Sequence, residues 1–178
     1  ITYGDQSNAT ATTNAVSVTL YRNGINVTNP EITMLASGTY NYTAINPGNE
    51  NYTGSTETWF LTVDKASSAL NLSASPSWSE TYGTETTVNC SADNYEIGPQ
   101  LFRNGNPVSI PDTATLGSDI YDYICNATTT QNYTAPTEQQ NNLTIGKATS
   151  TCTLTFDKAS PQTYETAINA SCSCTNPE

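Results

Sequence analysis

The segment Leu20-Tyr21-Arg22-Asn23-Gly24 returns 81 positions later as Leu101-Phe102-Arg103-Asn104-Gly105. An Asn-Gly pair between two alternating runs is typical of a two-residue hairpin loop, because both residues tolerate the positive φ that a type I′ turn requires. Each copy therefore predicts a β-hairpin, and the spacing predicts that the hairpin belongs to a repeated unit.

The match extends to both sides of the hairpins. Tyr3-Gly4 answers to Tyr82-Gly83, and the closing run 61–66 answers to 143–148. Self-similarity at a fixed period is the mark of a repeat protein. The period here is about 82 residues.

This period divides the chain into three parts. We predict repeat 1 over residues 1–66, without its first strand, and repeat 2 over residues 67–147. Residues 148–178 open a third copy in the same phase, because Leu72 reappears as Leu154. A chain that stops in mid-repeat is expected to be an excerpt of a longer array.

Each unit has the pattern of a β-sandwich. Apolar and polar residues alternate with a period of two, and helical spacing is absent from the sequence. For repeat 2 we predict strands near 68–74, 86–92, 99–103, 106–109, 112–117, 119–127 and 139–146. Seven short strands in a unit of this length are typical of an immunoglobulin-like sandwich. We therefore predict an all-β fold of tandem immunoglobulin-like β-sandwich repeats, joined almost without a spacer into a semi-rigid rod.

Two cysteines lie on the strands that a disulfide bridges in such a sandwich. Cys90 falls on the second predicted strand and Cys125 on the sixth, whereas repeat 1 has Ala11 and Ala44 at these positions. If the two cysteines form a disulfide, we expect a repeat to lack either both of them or neither. Tyr123 precedes Cys125 by two residues, which is the spacing of a tyrosine corner.

Three further cysteines lie in the predicted third repeat. Cys172 is the counterpart of Cys90, which leaves Cys152 and Cys174 to pair with each other. The competing assignment joins Cys152 to Cys172. A zinc site at Cys172-Ser173-Cys174 is disfavoured by its one-residue spacing and by the lack of His. Disulfides indicate an oxidising, extracellular or cell-surface location.

Composition excludes several classes of function. The formal net charge is −11, with five Lys and Arg against sixteen Asp and Glu and no His. A basic nucleic-acid surface is excluded by this sign, and the sequence has no apolar run of about 20 residues that would predict a membrane span. Without His we find no catalytic constellation, so the sequence predicts that the protein is not an enzyme.

No cofactor is predicted apart from N-linked glycans. Asp112, Asp119 and Asp122 lie near one end of repeat 2 and are a weak calcium candidate, although solvated surface charge is the better interpretation. Arg22 and Arg103 precede the Asn-Gly turns, and we expect them to lie over neighbouring aromatic rings.

Ten Asn-x-Ser/Thr sequons occur. They begin at Asn8, Asn26, Asn41, Asn51, Asn71, Asn89, Asn126, Asn132, Asn142 and Asn169. Their phase on the predicted strands places most of these Asn residues on the outer face. We predict N-glycosylation at several of them in the exported protein.

The recurring residues also resemble a known module. Tyr3-Gly4, Gly38-Thr39-Tyr40, Asn51-Tyr52 and the closing Leu61-Thr62-Val63-Asp64-Lys65-Ala66 are similar to the MBG-type immunoglobulin-like repeats of bacterial and archaeal surface proteins. The resemblance implies a spacer, stalk or adhesive arm and brings no catalytic residue. The cysteines and the sequons depart from that family and favour an archaeal surface glycoprotein.

We therefore predict a structural repeat of an exported, glycosylated stalk or filament, whose partners are neighbouring repeats or subunits of the same protein. The alternative is an adhesin or carbohydrate-binding module that contacts other cells or surface glycans, with Trp59 or Trp78 at its site. A further alternative is strand exchange, in which residues 147–156 complete the sandwich of the next subunit.

Overall fold

The computed structural model describes residues 1–14 and 17–176. Ala15 and Val16 of the predicted repeat 1, and Pro177 and Glu178 of the predicted third repeat, lie outside the described residues. The described residues form sixteen strands. They include no helix that is long and apolar enough to cross a membrane.

Repeat 2 is a complete two-sheet sandwich. Its strands are β7 (Leu70–Ser75), β8 (Ser79–Thr81), β9 (Glu85–Ala92), β10 (Gln100–Arg103), β11 (Asn106–Val108), β12 (Asp112–Thr115), β13 (Ile120–Asn126) and β14 (Gln139–Gly146). One sheet has the order β12-β9-β7 and the other the order β11-β10-β13-β14-β8. This is the arrangement of an immunoglobulin-like sandwich, with β9 and β13 in opposite sheets.

The core of repeat 2 lies between these two sheets. Its most enclosed apolar side chains are at most 2% exposed: Val88, Cys90, Leu101, Tyr123, Cys125, Leu143 and Ile145. Trp78 packs edge-on against Tyr123, with 6.4 Å between the ring centroids. Alternate residues of β7 cover one side of this core, since Leu70 is buried and Leu72 and Ala74 pack against it.

Repeat 1 has the same topology without a counterpart of β7. Its strands are β1 (Gln6–Ala9), β2 (Thr19–Arg22), β3 (Ile25–Val27), β4 (Glu31–Met34), β5 (Gly38–Asn46) and β6 (Ser55–Val63). They form the sheets β1-β4 and β3-β2-β5-β6. A parallel bridge from Thr2 to Asp64 occupies the place of the β8–β14 pairing in repeat 2. The chain is thus a tandem of immunoglobulin-like β-sandwich repeats, as the sequence predicted.

The third part of the chain forms one pair of strands, β15 (Cys152–Phe156) and β16 (Ala170–Cys174). Leu154 pairs with Cys172 just as Leu72 pairs with Cys90 in repeat 2. β15 and β16 are therefore the counterparts of β7 and β9. Every residue of both strands is exposed.

The predicted hairpin turns are present in both repeats. Asn23 and Gly24 have φ of 49° and 80°, and Asn104 and Gly105 have φ of 50° and 76°. Two successive positive φ values define the type I′ turn that the Asn-Gly pairs predicted. The Asn104 side chain also accepts a hydrogen bond from the amide of Asp122 at 2.8 Å, which fixes the turn against β13.

One strand of repeat 2 was missed from the sequence. β8 is only three residues long and pairs in parallel with the end of β14. It contains Ser79, Glu80 and Thr81, and no apolar alternation indicates a strand there. Its place in the sheet comes from tertiary pairing rather than from local pattern.

Candidate functional site

The joint between repeats 1 and 2 is formed by a set of polar contacts. Ala66, the last residue of repeat 1, lies beside the loop that follows β13. Its amide donates to the carbonyl of Asn132 at 2.9 Å, and its carbonyl accepts from the amide of Thr134 at 2.9 Å. The end of one repeat is therefore bound to the next by main-chain hydrogen bonds.

The side chain of Asn132 connects three parts of the joint. Its Nδ2 donates to both carboxylate oxygens of Glu96, at 2.9 and 3.1 Å. Its Oδ1 accepts from the amide of Ser37 in repeat 1 at 3.0 Å. Because both ends of the amide are engaged, Asn132 fixes the loop of repeat 2 against repeat 1.

Tyr3 closes the other side of the joint. Its hydroxyl donates to Glu96 Oε1 at 3.1 Å, and its ring packs edge-on against Tyr133 with 5.5 Å between the centroids. The hydrogen bond to the Glu96 carboxylate, together with burial, raises the pKa of the Tyr3 phenol. The Tyr3 phenol is protonated at neutral pH, as an ordinary tyrosine is, and the raised pKa keeps it a donor at a more alkaline pH as well.

Lys65 adds the cationic contact of the joint. Its Nζ donates to the carbonyl of Thr130 at 2.6 Å and to Thr129 Oγ1 at 3.0 Å. These oxygens belong to the same loop that carries Asn132. The joint thus combines main-chain, charged and aromatic contacts, and each of them restricts rotation of one repeat about the other.

Repeat 2 presents the corresponding surface to the residues that follow it. Tyr82, Ser118, Lys147 and Ala148 are the counterparts of Tyr3, Ser37, Lys65 and Ala66. Together with Gly117 and Asn176 they line an open pocket of about 410 Å³. The surface that forms a joint at the end of repeat 1 is thus repeated at the end of repeat 2.

A triad of one arginine, one acid and one tyrosine lies inside each repeat; the acid and the tyrosine are buried and the arginine is half-buried. In repeat 2, Asp112 Oδ2 accepts from Arg103 Nη1 at 2.8 Å and from the Tyr123 hydroxyl at 2.7 Å. Burial is the main cause that raises the pKa of Tyr123 to about 12; the hydrogen bond to Asp112 adds to the rise, and Arg103 opposes it. The triad connects the end of β10 with β12 and β13.

Repeat 1 has the same triad with a longer acid. Glu31 accepts from Arg22 Nη1 at 2.7 Å and from the Tyr42 hydroxyl at 2.6 Å. Burial, and then the hydrogen bond to Glu31, raises the pKa of Tyr42, while Arg22 opposes the rise. Two copies of one arrangement show that the triad belongs to the repeat itself.

The triad corrects two expectations. The arginines form ion pairs instead of lying over aromatic rings. The tyrosine hydroxyls donate to a side-chain carboxylate, whereas a tyrosine corner uses a main-chain carbonyl.

The three acids of the weak calcium candidate lie in separate surroundings. Asp112 is engaged by Arg103, Asp122 accepts from Gln140, and Asp119 accepts from the amide of Ile120. In residues 1–14 and 17–176, no group of three or more His, Cys, Asp or Glu residues is placed to hold a metal ion. The three carboxylates are therefore not brought together as calcium ligands.

The cysteines form two disulfides. Cys90 and Cys125 join the two sheets of repeat 2, with 5.7 Å between their Cα atoms. Cys152 and Cys174 join β15 to β16. Cys172 is an exposed free thiol, so the competing pairing of Cys152 with Cys172 is wrong.

The sequon asparagines differ in their surroundings. Six are exposed and four are half-buried; the exposed ones are Asn8, Asn26, Asn51, Asn71, Asn142 and Asn169, and the half-buried ones are Asn41, Asn89, Asn126 and Asn132. Asn132 differs most from the expectation of an outward glycan, because its Nδ2 faces Glu96 inside the joint. Its counterpart Asn51 is exposed.

The sequence predicted a joint almost without a spacer, but it did not predict the contacts of that joint, although part of their signal was visible. Lys65-Ala66 recurs as Lys147-Ala148, and Asn51-Tyr52-Thr53 recurs as Asn132-Tyr133-Thr134. Two recurring polar motifs at opposite ends of a unit are what contact between successive units requires. Glu96 carries no such signal. The residues matched before it and after it lie at different displacements from their counterparts in repeat 1, so Glu96 itself has no matched residue there.

Comparisons with known proteins leave the family open. No family model matches the chain, and no curated protein matches it. Among solved structures, the chain is similar to the fibronectin(III)-like modules of Clostridium thermocellum CbhA, at 14% identity and a TM-score of 0.36 over 81% of this chain and 87% of that one. The sandwich assignment accordingly rests on the strand order and pairing described above.

Proposed function

We propose that the chain is a structural segment of an exported, glycosylated cell-surface or extracellular stalk or filament. The observation that carries this proposal is the joint. Ala66 of repeat 1 is hydrogen-bonded directly to Asn132 and Thr134 of repeat 2, with no linker between the repeats. An interface with both main-chain and side-chain bonds transmits orientation from one repeat to the next, which is the mechanical requirement of a shaft.

The two disulfides support an oxidising location. Small domains outside the cytosol use such bridges, whereas cytosolic thiols are kept reduced. The Cys90–Cys125 bridge also holds the two sheets of repeat 2 together when the sandwich opens locally. Export and residence at the cell surface therefore agree with the chemistry of the chain.

Glycosylation is the second part of the proposal. Six exposed sequons and a net charge of −11 give the chain a polar surface that resists association and proteolysis. We propose that Asn51 carries a glycan and that Asn132 does not, because a glycan on Asn132 Nδ2 has to replace its contact with Glu96. The archaeal origin remains a prediction from the combination of sequons and disulfides.

Distance measurements between the repeats test the shaft. Spin labels placed in repeats 1 and 2 are expected to give one narrow distance distribution. The variant Glu96→Ala removes the acceptor of Tyr3 and Asn132, and it is expected to broaden that distribution. Glu138→Ala is the matched control, because Glu138 makes only a 3.5 Å contact with Asn126, away from the joint. A distribution that is equally broad in the wild type and in Glu96→Ala rejects the rigid shaft.

Mass spectrometry tests export and glycosylation. Intact mass of the protein from its native source, before and after deglycosylation and reduction, counts glycans and bridges together. Peptide mapping is expected to find modified Asn51 and unmodified Asn132. An unmodified protein with reduced Cys90 and Cys125 contradicts the surface location.

The adhesin alternative is favoured by one observation. Trp59 is 72% exposed, which is unusual for a large aromatic side chain on a sheet. Exposed aromatic rings are platforms for sugar stacking, and a glycan array probed with the wild type and with Trp59→Ala tests this function. Sugar binding that requires Trp59 supports the adhesin, whereas a blank array rejects it. Trp78 is not available in the same way, since it packs against Tyr123.

A further inference from the structure

The sequon asparagines of the two repeats face different neighbours across their strand pairs. The sequons that begin within a strand of repeat 1 or repeat 2 are Asn8, Asn26, Asn41, Asn71, Asn89, Asn126 and Asn142. Residues directly opposite each other in an antiparallel pair share one face of the sheet, with about 5 Å between their Cβ atoms. The cross-strand partner is therefore the nearest side chain outside its own strand for a sugar attached to the asparagine.

In repeat 1 each of these partners is a large apolar or aromatic side chain. The pairs are Asn8↔Ile32, Asn26↔Tyr21 and Asn41↔Phe60. Phe60 is 69% exposed and Ile32 is 53% exposed, whereas Tyr21 is half-buried. Two of the three partners thus present most of their apolar surface to solvent, outside the core of the sandwich.

In repeat 2 the partners of the strand sequons are small or polar. The pairs are Asn71↔Ser91, Asn89↔Ser73, Asn126↔Gln100 and Asn142↔Asp122. None of these partners offers a large apolar surface to a sugar. The two repeats therefore differ in what their glycans would contact, although both carry several sequons.

The positions that correspond to the three pairs of repeat 1 show the same difference. They hold, in the same order, Thr87↔Thr113, Pro107↔Phe102 and Asp122↔Asn142. Thr87 and Thr113 are joined by a hydrogen bond of 3.0 Å between their hydroxyl groups. Phe102 keeps its aromatic ring, and a proline ring stands opposite it. At these three positions a large apolar side chain is therefore present only where a sequon or a proline lies across from it.

The exposure of these positions belongs to the outer faces of the sandwich. In repeat 2, where β7 and β8 are in place, Thr113 and Asn142 are exposed as well. Ile32 and Phe60 occupy the equivalent positions in repeat 1. Their apolar side chains are therefore outside the core of a complete sandwich too.

Asn41 and Phe60 form the pair in which the attachment atom is best described. Asn41 Oδ1 accepts from the hydroxyl of Thr43, the third residue of the same sequon, at 3.1 Å. Within the described part of the chain, Asn41 Nδ2 donates no hydrogen bond, in contrast to Asn132 Nδ2 in the joint. A glycan on Asn41 therefore replaces no contact of the folded repeat.

We propose that the first sugars of the strand glycans of repeat 1 pack on the apolar side chains opposite them and stabilise this repeat. The inference rests on the glycosylation in the proposed function. A pyranose ring presents C–H groups on its face, and these remove apolar surface from water when they cover an aromatic or branched side chain. Repeat 1 lacks the disulfide of repeat 2, having Ala11 and Ala44 at those positions. The sugars thus support the repeat that has no covalent bridge.

The first experiment measures the contribution of the sugar on Asn41. The full chain is secreted from eukaryotic cells and trimmed with an endoglycosidase that leaves a single N-acetylglucosamine on each modified asparagine. Amide hydrogen exchange of β5 and β6 is compared in the wild type, Asn41→Gln, Phe60→Thr and the double variant. We expect Asn41→Gln to speed exchange by about fivefold or more when Phe60 is present, and to have no such effect after Phe60→Thr.

The same proteins made without glycans in a bacterial periplasm are the control. In these chains Asn41→Gln is expected to have the same effect with and without Phe60, because no sugar joins the two residues. If the trimmed chain gives equal effects in both backgrounds, or none in either, the proposal is overturned. It is also overturned if mass spectrometry finds Asn41 unmodified in the secreted chain.

The second experiment moves the pair into repeat 2. Asn142 stands opposite Asp122, so Asn142→Gln is expected to leave exchange of β13 and β14 unchanged in the trimmed wild type. After Asp122→Phe the same change is expected to speed that exchange, because the sugar on Asn142 then has an aromatic ring beneath it. Asp122→Thr is the matched control and is expected to behave as the wild type. A sugar that gives no protection after Asp122→Phe contradicts the proposed contact.

Another occupant of Phe60 would give a different result. If this side chain lies in an interface between copies of the chain, Phe60→Thr changes the oligomeric state of the trimmed protein in size-exclusion chromatography, and the proposal is overturned. Failure of the proposed function is recognised separately, by native protein that carries no glycan. Native protein with a glycan on Asn51, together with no sugar-dependent protection of β5 and β6, contradicts this inference alone.

Discussion

Replacing Tyr123 with Phe removes one hydroxyl group from the core of repeat 2 and leaves its shape unchanged. This hydroxyl donates to Asp112 Oδ2 at 2.7 Å, and the residue is 1% exposed. A hydrogen bond to a charged group contributes about 1.5–3 kcal/mol. Asp112 keeps its contact with Arg103 at 2.8 Å, so the carboxylate is not left without a partner. We therefore expect Tyr123→Phe to lower the free energy of unfolding by about 1.5–2 kcal/mol.

The repeated architecture supplies matched controls. Tyr42→Phe removes the corresponding hydroxyl, 2.6 Å from Glu31, and is expected to cost about as much in repeat 1. Tyr121→Phe lies on the same strand as Tyr123, but its hydroxyl makes a longer bond of 3.2 Å to the carbonyl of Gly117 at the surface. Its expected cost is below about 0.5 kcal/mol.

Hydrogen–deuterium exchange in graded urea measures each repeat separately. Opening free energies of β13 and β14 report on repeat 2, and those of β5 and β6 report on repeat 1. Tyr123→Phe is expected to destabilise only the first pair and Tyr42→Phe only the second. A Tyr123→Phe effect no larger than that of Tyr121→Phe would show that the triad does not stabilise the sandwich. An effect spread equally over both repeats would show that they do not unfold separately.

Three further changes test other contacts. The pKa of Tyr123 in the folded state is raised to about 12, so the contribution of its hydroxyl to the free energy of unfolding is complete below pH 10 and is lost as pH rises from 10 through 12. Urea unfolding is expected to show that the stability difference between wild type and Tyr123→Phe shrinks across that range. A constant difference would contradict this. The double variant Cys90→Ala, Cys125→Ala removes a bridge between residues 35 positions apart and is expected to lower the free energy of unfolding of repeat 2 by roughly 3–4 kcal/mol. The control variant Cys152→Ser, Cys174→Ser is expected to leave the stability of repeat 2 unchanged. Hydrogen exchange of β13 and β14 measures both. Introducing Cys at both Ala11 and Ala44 is expected to form a bridge across repeat 1, seen as a loss of two hydrogens by intact mass. Free thiols at both sites after oxidation would show that the segment following β1 lies too far from β5.

The fold was predictable because local and long-range signals agree in this chain. Asn104-Gly105 predicts its turn from conformational preference alone, and the same turn forms in both repeats. Cys90 and Cys125 needed only the comparison with Ala11 and Ala44 to be recognised as a pair. Internal repetition here replaces the information that a set of related sequences normally supplies.

The functional contacts were less predictable, for a physical reason. Glu96 binds residues more than 30 positions away in the chain and on both sides of a joint. No local periodicity records such a contact, since the partners meet only after two sandwiches have formed. The role of Arg103 was misread for a related reason, because its partner Asp112 lies on another strand and the sequence showed it only as one of three nearby acids.

The Cys90–Cys125 bridge has a consequence for a chain that is pulled from its ends. The segment between the two sulfurs spans 35 positions, which correspond to about 120 Å of fully extended polypeptide. Tension that unravels repeat 2 cannot draw out this length while the bond is intact, whereas repeat 1, with alanines at both positions, yields its whole contour. A stretched molecule would therefore lengthen in unequal steps, and the covalent loop would limit how far the oxidised unit extends before its backbone is taut.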